Sequence, residues 1–231
     1  MSSIISYILG RLIILPGIII GLSFHEFAHA KASSVLGDPT PRLQGRVSLN
    51  PASHIDPVGF LLLLLIGFGW GRPVQIDPRY YKHRRRDELI VSLAGVTMNL
   101  LIAVLTAGIM RLSYEAGAPF LFGTSAGGIL WSVLQSAVSI NLVLMFFNLI
   151  PLPPLDGFGI ITQIFRLDRK PWYGRFYQLG PMFLMIIILF HLMIHKGPVP
   201  EKRPAEFRRV KSAFRMKSLC VSDWNFRRAG K

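Results

Sequence analysis

The sequence predicts an all-α, polytopic membrane protein: a helical bundle carrying a short β-strand or hairpin element and one proline-broken helix. Three observations predict it. Half of the 231 residues are hydrophobic (51%) and mean hydropathy is positive, as expected of a membrane-embedded domain rather than a soluble one. Residues 89–110, 117–155 and 176–195 contain no charged side chain, and each meets the roughly 20 apolar residues that a spanning helix needs. The net charge of +14 is concentrated: residues 72–86 hold six Lys/Arg against one Asp, and residues 196–231 hold eleven against three acids.

Basic segments flanking apolar spans mark the cytoplasmic side and meet anionic headgroups. A lipid bilayer is therefore the expected partner of the charge, and nucleic acid is not. Residues 1–195 are expected to form the membrane domain and residues 196–231 a basic, flexible tail, giving an integral, multi-pass protein of the cell membrane. Cys220 is the only cysteine. An internal disulfide is therefore impossible, and thiolate ligation of zinc is not expected.

The first helix is expected over residues 4–36, kinked near Pro16 and stopped by Gly37. It does not read as a cleavable leader, because residues 1–10 carry no charged side chain and Arg11 lies inside the apolar run. Asp38-Pro39-Thr40-Pro41 is a rigid turn. Residues 46–50 alternate polar and apolar, which predicts a short strand ended by Pro51. Residues 59–71 are very apolar but too short to span, so they either re-enter or pack within the bundle. The basic loop 72–86 leads into the span 89–110, where Asn99 needs a partner for its amide; an interhelical hydrogen bond and a contact to substrate both stay open.

Residues 114–125 fit a short outside loop, and 127–147 span back. Asn148-Leu149-Ile150-Pro151-Leu152-Pro153-Pro154-Leu155-Asp156-Gly157 then breaks the helix, since three prolines in four residues cannot continue it. Unwound backbone in an apolar region needs protein or a watery cavity to satisfy it, so a site is expected there. Residues 158–165 suit a short helix, 166–175 a basic connector, and 178–194 the last span. His191 and His195 repeat an i, i+4 spacing at the membrane edge, where an interfacial role is expected over a second metal site. Charge bias puts 72–86, 166–175 and the tail on one side, whereas a complete last span puts the latter two on opposite sides.

The chemistry centres on His25-Glu26-Phe27-Ala28-His29. On a helix, His25 and His29 project from one face and can grip one Zn²⁺, with Glu26 placed to take a proton from a water. Asp156 is the candidate third ligand; its alternative is a helix cap. Two neutral histidines and a carboxylate leave a fourth position open, as a catalytic zinc requires, one ion per chain. Glu26 is the expected general base, passing its proton on to a departing amine. Two rivals remain: a relative that binds metal or clients without cutting, and a transporter, which also uses broken helices and buried ionisable groups. The chain shows no internal repeat of the kind transporters carry.

Three blocks carry a family resemblance: His25 through His29; Gly45-Arg46-Val47-Ser48-Leu49-Asn50-Pro51 with His54-Ile55-Asp56-Pro57; and Asn148 through Asp156-Gly157. Together they resemble the site-2 protease family of intramembrane metalloproteases, and Gly69-Trp70-Gly71-Arg72-Pro73-Val74 is similar to its compact bacterial-type branch. The likeness spans residues 22–157. It implies zinc held by His25, His29 and Asp156, and cleavage within or beside transmembrane segments of membrane-protein substrates. It also implies that Asn148 helps to bind substrate or the developing oxyanion. His54 either donates to that oxyanion or steadies the turn at 46–50, and the strand at 46–50 either offers its edge to substrate or is a plain hairpin. One departure is the sequence Gly95-Val96-Thr97-Met98-Asn99, where family members usually have Gly-Pro.

Overall fold

The computed structural model describes residues 2–66 and 69–194. They fall into two units, Met1–Leu184 and Met185–Lys231. In chain order the helices are α1 (Ser2–Val35), α2 (Thr40–Leu43), α3 (Pro57–Ile66), α4 (Arg84–Glu115), α5 (Pro119–Gly123), α6 (Ser125–Asn148), α7 (Asp156–Phe165) and α8 (Tyr173–Ile194). In the second unit the described residues are the end of α8, up to Ile194; the basic tail and His195 lie outside the described residues. Among the described residues, four helices are long and apolar enough to cross a membrane, over Leu9–Val35, Arg84–Glu115, Ser125–Asn148 and Tyr173–Phe190.

The first unit is built on α1, α4 and α6, each packed on the other two, with α7 laid against α4. Small residues let α1 and α6 approach. A Cβ on Gly17 would meet the Ala137 backbone at 2.9 Å, and one on Gly21 would meet Asn141 at 3.0 Å. In an apolar solvent this close approach replaces the hydrophobic drive that lipid cannot supply. Polarity is accordingly inverted. The fully buried side chains include His54, Asn99, Asn141, Thr162, Asp38 and Asp87, while Leu105 and Leu112 stand 66% and 68% exposed. An aqueous surface does not tolerate so much apolar area, whereas a bilayer does.

The predicted strand at 46–50 is not there, and no strand occurs among the described residues. Those residues form a loop in which Asn50 accepts from Ala52 N–H and caps a 3₁₀ turn at Pro51–Ser53. Burial does not follow the alternation, since Leu49 and Asn50 are both exposed. Arg46 is turned inward and buried, and its guanidinium donates to the carbonyls of Ser53, Arg72 and Pro73. Ladder pairing occurs at one isolated antiparallel bridge instead, Ile55 with Gly71, beside Arg72 N–H donating to the His54 carbonyl at 2.7 Å. The apolar segment that contains α3 thus leaves and returns at the same point, so it turns back rather than running through.

Other boundaries shift for local reasons. α1 runs unbroken past Pro16 and ends before Gly37, which has φ +111. α8 begins at Tyr173, ahead of the apolar run, because Tyr173, Phe176 and Tyr177 all gather on Phe158 of α7.

The turn after α1 is held by one buried carboxylate. Asp38 accepts from Ser33 Oγ at 2.8 Å and Thr40 N–H at 2.9 Å, and from Asp77 N–H at 2.8 Å. It therefore pins the far end of the 39–77 excursion to α1. Burial pushes this carboxyl up, but the donors on Thr40, Asp77 and Ser33 outweigh it and hold the group below the usual carboxylate range. Replacing Asp38 by Asn is expected to cost about 1.5–3 kcal/mol, the worth of hydrogen bonds to a charged group. Because the folded pKa is depressed, that stabilisation is complete above the unfolded value near ~3.9 and disappears as pH falls through the folded value. Unfolding midpoints in detergent should separate wild type from Asp38→Asn at neutral pH and converge in acid; a gap independent of pH would exclude the ionised carboxylate as its source.

Candidate metal centre

His25 and His29 are one turn apart on α1, and the helix that faces them is matched to that spacing. Val91, Gly95 and Asn99 follow at successive i+4 positions of α4, antiparallel to His29, His25 and Gly21. His29 Nδ1 donates to the Val91 carbonyl at 2.8 Å. His25 Nδ1 lies 2.6 Å from Asn99 Oδ1. Between them Gly95 offers no side chain, and any Cβ there would run into His29 Nε2 and the His25 ring.

The hydrogen-bond network decides the tautomers. Asn99 Nδ2 donates to the Gly21 carbonyl and to Asn141 Oδ1, both at 3.0 Å. Since a carbonyl can only accept, the amide is oriented with Oδ1 toward His25, and His25 Nδ1 must carry the proton. The same logic puts the His29 proton on Nδ1, because its partner is the Val91 carbonyl. Both Nε2 atoms therefore present lone pairs.

The proline break delivers the third group. α6 ends at Asn148, residues 149–155 turn tightly, and α7 starts on Asp156. A Cβ on Gly157 would collide with the carbonyls of Leu149 and Ile150, so glycine is needed where the chain folds back on itself. Asp156 Oδ2 comes to 3.3 Å from both Nε2 atoms, which are themselves 3.0 Å apart. This oxygen is buried with no hydrogen-bond partner. Three lone-pair donors thus converge with no proton between them. Ligands at ~2.0–2.1 Å from a tetrahedral ion stand roughly 3.3 Å from one another, so His25, His29 and Asp156 fit a zinc ion.

Glu26 is half-buried on the same turn, and its Oε2 accepts from Val74 N–H at 3.0 Å. Glu26, the three candidate ligands and Asn148 share the wall of one cavity of about 620 Å³. Asn148 donates one amide N–H to the Leu144 carbonyl at 2.9 Å, which leaves the other for the cavity.

Two other expected site residues lie elsewhere. Asn99 is fully buried behind His25 and is not part of the cavity wall, so it meets an imidazole rather than the cavity. His54 is also fully buried, and its Nε2 donates to the Ser48 carbonyl at 2.7 Å, which places it under the 46–50 loop. Sequence reasoning missed Asn141, Val74 and Gly95 as supports. Asn141 could have been found by the signal that exposed Asn99, an amide in the middle of an apolar span; Val74 acts through its backbone and leaves no sequence signal.

A family model described as Peptidase family M50 matches residues 115–192, a stretch that holds Asn148 and Asp156 but not the histidine pair. Over 179 residues, 75% of this chain and 77% of the relative, the chain is 40% identical to "Putative zinc metalloprotease YwhC" of Bacillus subtilis (strain 168). It is 28% identical over 191 residues to "Putative zinc metalloprotease Rip2" of Mycolicibacterium smegmatis, covering 80% of this chain and 69% of the relative. No solved structure matches.

If Asn99 fixes the metal-binding tautomer of His25, then Asn99→Leu should weaken zinc binding by about 10–100-fold, as loss of an outer-shell partner typically does. Asn141→Leu breaks the same amide cluster without touching an imidazole. Chelator competition that finds equal zinc affinity in the two variants would remove the orienting role.

Proposed function

The chain belongs to peptidase family M50, the site-2 proteases, and is a zinc metalloprotease; from that premise we propose that it hydrolyses peptide bonds within or beside transmembrane segments of membrane-protein substrates. Four apolar helices support a multi-pass position in the cell membrane. The observation that carries the reading is the meeting of His25, His29 and Asp156 with Glu26 on one cavity, inside helices whose outer faces are apolar. A water-filled site enclosed by lipid-facing helices is what peptide hydrolysis at membrane depth requires.

Zinc held by His25, His29 and Asp156 supplies Lewis acidity and lowers the pKa of water toward neutrality. The rest falls to the chain. Glu26 acts as general base: Val74 N–H holds Oε2, leaving Oε1 to accept a proton from water and return it to the departing amine. The free amide N–H of Asn148 donates to the oxygen on which negative charge develops. Asn99 and the Val91 carbonyl keep both imidazoles in one tautomer. His54 steadies the 46–50 loop from beneath.

A helical substrate must expose its backbone before hydrolysis. The edge that serves this purpose is residues 73–76 rather than 46–50. Pro73, Val74 and Ile76 line the cavity, Arg46 anchors the carbonyls of Arg72 and Pro73, and among the described residues the backbone N–H groups of Gln75 and Ile76 have no partner. An unpaired edge beside the ligands can hold a substrate extended by strand addition.

Purified protein with a transmembrane reporter substrate tests both points. Glu26→Gln is expected to retain zinc and lose about 10²–10⁴-fold in cleavage rate, while His25→Ala and Asp156→Ala lose the metal itself. Cleavage by Glu26→Gln at the wild-type rate would overturn the base assignment. Ile76→Pro removes one edge donor and should depress cleavage with zinc content unchanged; undiminished turnover would count against the edge.

A further inference from the structure

The first turn of α4 and the connector between α7 and α8 border an open cavity of about 290 Å³, and its wall is polar: Arg84, Arg85, Arg166, Arg169, Asp168 and Gln163. All four arginines are exposed. Two are partly engaged. Arg84 Nε donates to Glu88 at 2.7 Å, and Arg85 donates to the carbonyls of Gln163 and Ile164 at the end of α7. A guanidinium carries five N–H donors, so both keep several free. The side chains of Arg166 and Arg169 have no hydrogen-bond partner among the described residues. The acids facing the group are Asp168 in the wall and Glu88 behind Arg84, two carboxylates against four guanidiniums.

Local preference is overridden twice to build this cluster. Arg84, Arg85 and Arg86 occupy the first turn of α4, where the helix dipole favours anions and disfavours cations. Arg166 ends α7 in the left-handed region, φ +56, a position that Gly or Asn fills at less cost. Departures of this kind are expected where the side chain has a task. The cluster also lies at interfacial depth by sequence, since Trp172 and Tyr173 follow it at the start of an apolar helix, the pattern of a headgroup-level aromatic belt.

We propose that this cavity is a phosphate-binding site whose ligand is the phosphate ester of an anionic lipid headgroup. The planar fork of arginine pairs bidentately with phosphate oxygens, and basic pockets between helices on the cytoplasmic side take such headgroups. Arg166 and Arg169 supply the free donors, and Arg84 and Arg85, already fixed by Glu88 and the end of α7, supply pre-oriented ones. Free phosphate shares the chemistry, so the test separates the two sources.

Native mass spectrometry of the full chain in detergent, with equal phosphatidylglycerol and phosphatidylcholine, reads retained lipid directly and does not depend on proteolysis. Wild type is expected to retain phosphatidylglycerol preferentially. The double variant Arg166→Gln/Arg169→Gln breaks no internal hydrogen bond and should lose that preference by about tenfold or more, since each basic side chain at the surface contributes appreciably. Lys82→Gln/Arg175→Gln removes the same charge outside the cavity and should keep it. Equal retention by the two double variants overturns the site. Excess inorganic phosphate that displaces the lipid from wild type, and fails to bind Arg166→Gln/Arg169→Gln, overturns the lipid assignment in favour of free phosphate; lipid that survives the excess supports the headgroup.

Discussion

Two imidazole nitrogens and a carboxylate oxygen, all presenting lone pairs and all within 3.3 Å of one another, repel unless a cation lies among them. This is the constraint on which the rest of the fold depends. It requires that each imidazole hand its proton to an acceptor on the far side, and both acceptors come from α4, the Asn99 amide and the Val91 carbonyl. The carboxylate arrives from a different part of the chain, delivered by the proline break at the start of α7. The constraint also requires that nothing else occupy the space, which Gly95 secures. A cluster so expensive to bury is bearable because the far nitrogen of each imidazole is hydrogen-bonded.

The surrounding bundle follows from the same economy. Lipid does not drive helices together, so α1, α4 and α6 are joined where small residues admit close contact and where amides pair across the interface. Asn99 joins all three helices: it meets His25 and the Gly21 carbonyl on α1, and Asn141 on α6. Asn141 in turn donates to the Ala137 carbonyl at 2.9 Å, so both amide protons of Asn99 and one of Asn141 are placed within the bundle. The candidate metal cage and the helix–helix contact thus share one hydrogen-bonded network.

Much of this was legible in the sequence, for identifiable reasons. Spans are set by length and apolarity, which a bilayer reads residue by residue, so the long helices fell close to their expected bounds. The meeting of His25, His29 and Asp156 was legible because its parts are unusual in an apolar context: a histidine pair in a span, and an aspartate just after three prolines. The failure at 46–50 is equally instructive. Alternation there does not map onto burial, since Leu49 and Asn50 are both exposed, and the one buried side chain of the five is an arginine serving loop carbonyls rather than a sheet. Asn99 stands out in its apolar span, but a lone amide there gives no hint of which neighbour it meets. The hold of Val74 on Glu26 leaves no trace in the sequence, since a backbone N–H is common to nearly every residue.

The missing proline before Asn99 sharpens the point about α4. With Val96 in that place the helix runs unbroken from Arg84 to Glu115, and Val91, Gly95 and Asn99 stay on one face at exact i+4 intervals. That face lies antiparallel against Gly21, His25 and His29, which share the same interval on α1. Successive i+4 positions drift by only ~40° around a helix, so two straight helices keep such a seam in register for about two turns, the length the cage needs. A bend at this point would help only if the partner helix bent with it. In this chain register comes instead from the seam itself: a residue too small to intrude, flanked on each side by an acceptor one turn away.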